Sequence, residues 1–171
     1  MLPHQGTIGV LAGSKWMSLL DYKRLDVQRI AIWLRDEGRT CGVTSVGCGQ
    51  GKLEALLVPL VGTVTGVDSL GSLCSEARKV VRFVTISQRR RVVEVQPDNV
   101  MLLVFPISIM PFDLYLKAYR GPRVVIIADD TCDPGPGRVV EGFRVVYSEL
   151  VPTELDRATM TVYDRMPEMA D

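Results

Sequence analysis

The sequence predicts an α/β protein built on a mostly parallel sheet with an antiparallel end, and three observations carry that prediction. Short β-branched runs alternate with segments of helical period through the first 130 residues. Two runs, Val100–Phe105 and Arg123–Ala128, are apolar throughout, as strands covered on both faces are. Valine supplies 24 of the 171 residues, a bias towards strands that a helical bundle would not show.

The elements follow in order. The first 22 residues lack periodicity and are expected to form an N-terminal arm on a single domain, 1–171. Leu25 to Glu37 reads as a helix, with Asp26 as N-cap, Gly38 as stop, and Leu25, Ile30, Ile32, Trp33 and Leu34 on one broad face. Val43–Val46 is a short strand that ends in Gly47-Cys48-Gly49-Gln50-Gly51. From Lys52 the period becomes helical, with Leu53, Leu56, Leu57 and Leu60 as the apolar stripe up to Gly62. Thr63–Val67 is the second strand, closed by Asp68, and Ser72–Val80 a helix capped by Ser72. Val81, Phe83 and Thr85 alternate as in a strand, whereas Val92, Val93 and Val95 fit another strand or a distorted helix. Val100–Phe105 is a buried strand, Phe112–Tyr119 a short helix stopped by Gly121-Pro122, and Arg123–Ala128 a second buried strand. Asp133–Gly137 is a loop. Phe143–Tyr147 and Thr159–Tyr163 alternate without a helix between them and predict the antiparallel pair.

Composition narrows the classes of function. Twenty Lys+Arg balance twenty Asp+Glu, so no global field draws the chain to a polyanion, which argues against nucleic acid. Four cysteines (Cys41, Cys48, Cys74, Cys132) form no Cys-x-x-Cys pair and the only histidine is His4, so no metal site is expected. Neither a secretory leader nor an apolar run of membrane-spanning length is present, and a cytoplasmic location is expected.

In a parallel sheet the ligand crevice lies beyond the C-terminal strand ends. Those ends are Gly47–Gly51, Asp68, Ser87, Phe105–Ser108 and Asp129-Asp130. Glycines between a strand and a helix allow a sharp turn and close approach of a ligand to the main chain, although structural turns use the same residues. Asp68, 21 residues after Gly47 and at the next strand end, stands where a carboxylate can accept both hydroxyls of a ribose. A dinucleotide fingerprint needs a small residue at position 52, and Lys52 occupies it. Cys48 reads as a small apolar filler or a reactive thiol, Arg89–Arg91 as a solvated turn or a phosphate contact, and Asp129-Asp130 as a cap or turn. Asp113 has no obvious partner beyond a helix start.

The spacing Gly47-x-Gly49-x-Gly51, with V-T-G-V-D ending in Asp68, resembles class I S-adenosylmethionine-dependent methyltransferases. More narrowly, M-L-L-V-F-P followed by L-K-A-Y-R-G-P-R-V-V-I-I-A-D is similar to a small, poorly characterised methyltransferase-like group. The resemblance implies a Rossmann-like methyltransferase sheet whose last strand is antiparallel, and S-adenosylmethionine as cofactor. It places Gly47, Cys48, Gly49 and Gly51 beside the methionine part. Asp68 would hold the ribose, Ser69 and Leu70 the adenosine, and Ser87 or Gln88 the adenine edge. Phe105, Pro106 and Ser108 become candidates for the catalytic side, next to the transferring methyl.

Two departures stand out. Ser45 occupies a position where such enzymes often carry an acid. Phe105-Pro106-Ile107-Ser108 lacks the acid or amide, second proline and aromatic of amino-directed enzymes. The alternative is therefore a catalytically degenerate domain that serves as a binding or assembly module. The length leaves no room for a recognition domain, so the expected partner is a small-molecule acceptor or a protein.

Overall fold

The computed structural model describes residues 27–35, 42–69, 73–86, 92–104, 106, 111–152 and 157–168. The arm at 1–22, Asp26, Gly38 and Ser72 lie outside them.

Eleven elements are described: α1 (Val27–Leu34), β1 (Val43–Val46), α2 (Lys52–Val61), β2 (Val64–Asp68), α3 (Ser75–Val80), β3 (Arg82–Thr85), β4 (Val100–Val104), α4 (Phe112–Ala118), β5 (Arg123–Ala128), β6 (Phe143–Pro152) and β7 (Arg157–Arg165). They build one seven-stranded sheet in the order β3-β2-β1-β4-β5-β7-β6. The first five strands of that order pair in parallel, and β7 inserts antiparallel between β5 and β6. This is a Rossmann-like α/β sheet, mostly parallel, with an antiparallel end.

The central strands are apolar throughout because both of their faces are covered. Every residue of β1 and β4 is buried, as are Val124 to Ala128 of β5. Burying this much valine, leucine and isoleucine surface, at roughly 25 cal/mol per Å², is the main force holding the sheet. The chain reverses its direction of travel between β1, which pairs Ser45 with Gly66 of β2, and β4, which pairs Leu102 with Ser45 on the other side. The glycine loop sits at that switch point, beyond the end of β1, where sheets of this kind take their ligands.

Several expectations are corrected. Ile32 is exposed rather than part of the α1 face; Ile30 and Leu34 are buried as expected, and Ala31 joins them, the i, i+1, i+4 set that a helix presents to one side. In α2 the buried residues are Leu53, Glu54 and Leu57, while Leu56 is exposed, so the helix is rotated from the all-leucine stripe. Val92–Gln96 is neither strand nor helix. The Val93 N–H donates to the Tyr115 hydroxyl at 3.0 Å instead of to a ladder, while Val92, Val93 and Val95 pack on the core. α3 begins at Ser75 with Cys74 in the cap position. β6 and β7 are longer than their alternating runs because an irregularity between Val145 and Tyr147 interrupts the alternation without ending the pairing. No helix among the described residues is long and apolar enough to cross a membrane.

Candidate functional site

The loop after β1 folds over the end of β2 and does not run straight into α2. The N–H groups of Gly47 and Cys48 both donate to the Val67 carbonyl, at 2.7 and 3.3 Å. Gly49 N–H then donates to Asp68 Oδ2 at 2.7 Å, and Ser69 N–H to Asp68 Oδ1 at 2.6 Å. Gly51 N–H closes a tight turn on the Cys48 carbonyl at 3.0 Å, and Cys74 N–H reaches the Gln50 carbonyl at 2.9 Å. The ends of β1 and β2 and the starts of α2 and α3 therefore converge on five residues.

Glycine is required at Gly51 on two counts. Its φ is +73°, and a Cβ there would stand 2.9 Å from Leu73 Cδ2 and 3.0 Å from the Ala77 methyl. Its role in this structure is thus the close approach of α3 to the start of α2. Cys48 answers another glycine: a Cβ on Gly66 of β2 would lie 2.6 Å from the Cys48 sulfur. The thiol fills that space and is buried; burial first, then the carboxylates of Glu54 and Asp68, push it well above the ordinary thiol range. A thiol so protected from ionisation is not a nucleophile.

Sequence reasoning missed Glu54. It lies in the first turn of α2 and is only 3% exposed. The Ser45 hydroxyl donates to its Oε1 at 2.6 Å. Burial raises its carboxyl from 4.5 to about 7, against the lowering effect of the Ser45 bond and the main chain, and Asp68 raises it further. Among the described residues no cation is paired with it. The signal was available: Leu57, Val58 and Val61 follow Glu54 at i+3, i+4 and i+7, so the acid is in register with an apolar stripe.

The remaining sequence candidates distribute as follows. Ser69 is exposed beside Asp68. Pro106 is buried, and its carbonyl accepts the Asp133 N–H at 3.0 Å, tying the loop after β4 to the loop after β5. Leu70, Phe105, Ser108, Ser87, Gln88 and Arg89–Arg91 lie outside the described residues. Asp129 closes a turn, accepting from Thr131 N–H at 2.9 Å and the Thr131 hydroxyl at 2.5 Å. Asp113 does have a partner: Arg138 reaches it at 2.9 Å.

Neither a protein-family model nor a curated protein sequence matches the chain. Solved structures do. Magnesium protoporphyrin IX methyltransferase from Synechocystis, solved with bound S-adenosylmethionine, is 16% identical with a TM-score of 0.57, over 82% of this chain and 78% of that one. A 1,6-didemethyltoxoflavin N1-methyltransferase from Burkholderia thailandensis, solved with bound 1,6-didemethyltoxoflavin and S-adenosylhomocysteine, is 20% identical at TM-score 0.58, over 85% and 81% of the two chains. The 23S rRNA methyltransferase ErmE is 18% identical at TM-score 0.56, over 83% and 68%. At such identities the likeness establishes the fold, and the fold is the Rossmann-like methyltransferase fold. Acceptors among these neighbours range from small molecules to RNA, so the likeness does not choose between them.

Proposed function

We propose that the chain is a small S-adenosylmethionine-dependent methyltransferase. The observation that carries this reading is the Gly49–Asp68 link, which holds a glycine loop and an acid together at the switch point of the sheet. The surroundings fit the cofactor's charge. Asp68, a buried carboxylate held by two main-chain N–H groups, acts on Cys48 as a negative charge, so the loop lies in a negative field. A sulfonium with an ammonium group is attracted there, whereas the pyrophosphate of a dinucleotide is repelled. The methyltransferase identity of the structural neighbours favours an enzyme over a binding module.

In this reading Gly47, Cys48 and Gly49 line the methionine part, and Asp68 with Ser69 and Leu70 takes the ribose and adenosine. Ribose hydroxyls at Asp68 share the carboxylate with the N–H groups of Gly49 and Ser69 or displace them. Gly51 contributes by letting α3 close on the loop. Phe105, Pro106 and Ser108 shape the acceptor side, with Pro106 fixed through Asp133. The cofactor supplies a methyl group already activated on sulfur; the protein's part is to align the acceptor with it and exclude water.

Isothermal titration with S-adenosylmethionine, S-adenosylhomocysteine and NAD tests the proposal. The two sulfur nucleosides are expected to bind and NAD not, with Asp68→Ala weakening the former at least tenfold. Failure of both sulfur nucleosides to bind the wild type would overturn it.

A further inference from the structure

Beside the glycine loop lies a second acid that the nucleoside contacts do not use. Glu54 is a carboxylate almost wholly removed from water, in the first turn of α2 behind the glycine loop. Among the described residues its one side-chain partner is the Ser45 hydroxyl, a neutral donor. A carboxylate in such a place stays charged only when a cation meets it; otherwise it holds a proton. Of the two carboxylates beside the loop, Asp68 is engaged by main-chain N–H groups at the end of β2, while Glu54 has met no cation among the described residues. The cofactor class proposed above carries one cation that persists before and after methyl transfer, the ammonium of its amino-acid end.

We infer that Glu54 is the subsite for that ammonium, and that it releases its proton to solvent as the ammonium arrives. This rests on the methyltransferase reading and adds to it a proton-linked control of cofactor affinity. The balance is simple: the O–H bond of the Glu54 carboxyl breaks, the proton leaves to solvent, and the resulting carboxylate faces an ammonium that keeps its own protons. The groups facing Glu54 bear this out element by element. β1 offers only the Ser45 hydroxyl, the loop offers the Cys48 thiol, which is uncharged, and β2 offers Asp68, whose negative charge holds the proton on Glu54 more firmly. With the carboxyl at about 7, the proton is present on a large share of the free protein at neutral pH and is available to be displaced.

Two ligands separate this from the reading it rests on. S-adenosylhomocysteine carries the ammonium; 5′-methylthioadenosine is the same thionucleoside without the amino-acid end. In titrations of the intact chain, affinity for S-adenosylhomocysteine should rise about tenfold from roughly pH 6 to pH 8. Near pH 6, buffers of different ionisation enthalpy should report close to one proton released. Methylthioadenosine should show neither effect. Glu54→Gln keeps the shape and an acceptor for Ser45; it should weaken S-adenosylhomocysteine about tenfold or more at pH 8, remove the pH dependence, and leave methylthioadenosine unchanged. Retained methylthioadenosine binding also shows that the variant is folded, and the wild-type proton release needs no variant. Equal, pH-independent binding of S-adenosylhomocysteine by wild type and Glu54→Gln overturns the role of Glu54 alone. Absence of binding by both ligands overturns the methyltransferase reading along with it.

Discussion

Gly49 donates its main-chain N–H to the Asp68 carboxylate at 2.7 Å, joining the loop after β1 to the last residue of β2. Asp68 is fully buried, and a second N–H, from Ser69, occupies its other oxygen. The acid is thus a structural brace for the loop as well as the proposed ribose ligand, and the two roles can be measured apart.

Asp68→Ala removes both charge-assisted bonds and strands the buried Gly49 N–H. A loss of about 3 kcal/mol is expected, from bonds worth roughly 1.5–3 kcal/mol and an unsatisfied donor. Asp68→Asn retains an acceptor and should lose about half as much. Urea unfolding midpoints read both values, and an Ala variant as stable as wild type would remove the brace.

Glu54 makes stability depend on pH. Its carboxyl is raised from 4.5 to about 7 in the fold, so the folded protein holds a proton that the unfolded chain has already released. The contribution is fully present below about pH 4.5 and is lost as pH rises through about 7, a change of about 3 kcal/mol. Glu54→Gln cannot ionise. Relative to wild type, it should become about 3 kcal/mol more favourable between roughly pH 5 and pH 8 in denaturant titrations.

Gly51→Ala and Gly62→Ala separate backbone strain from crowding. Both residues have positive φ, +73° and +89°, yet only at Gly51 would the added Cβ meet neighbours, Leu73 and Ala77. Gly62 has ψ −115° and lies outside the left-handed α region, in backbone space open essentially to glycine, so Gly62→Ala should cost about 2 kcal/mol from the backbone alone. Gly51→Ala should cost about 3 kcal/mol, because α2 and α3 must also move apart. Thermal unfolding of the two variants side by side checks the ordering.

Gly121→Ala tests space without strain in φ. The new Cβ would lie 2.2 Å from the Tyr119 hydroxyl oxygen and 2.4 Å from the ring carbon that bears it. Tyr119 is buried, and its hydroxyl reaches the Asn99 and Arg123 carbonyls, so the ring has no easy escape. A loss of about 3 kcal/mol is expected, with a changed near-ultraviolet tyrosine signal.

Much of the sheet was legible from the chain because its central strands are apolar on both faces and their ends are marked by glycine, proline and aspartate. Val43–Val46, Val100–Val104 and Arg123–Ala128 all appear within a residue of the expected place. The failures share one cause. At Val92–Gln96 a hydroxyl from Tyr115 replaces the ladder that β-branched residues suggest, and at Ile32 and Leu56 apolar side chains face solvent. Hydrophobicity alone does not say which side of a helix a neighbouring element will cover.

The candidate site divides along the same line. Local chemistry written in the sequence determined the glycine loop between strand and helix, the acid at the next strand end, and the parallel order that brings them to one edge. Only tertiary packing decided that the Gly51 Cα abuts Leu73 and Ala77, that the Cys48 thiol fills the space beside Gly66, and that α2 turns Glu54 inward onto Ser45. The reason is physical. Strand ends and turns are set by neighbours in sequence, whereas the rotation of a helix, and with it the burial and charge of a single carboxylate, is set by what the helix packs against.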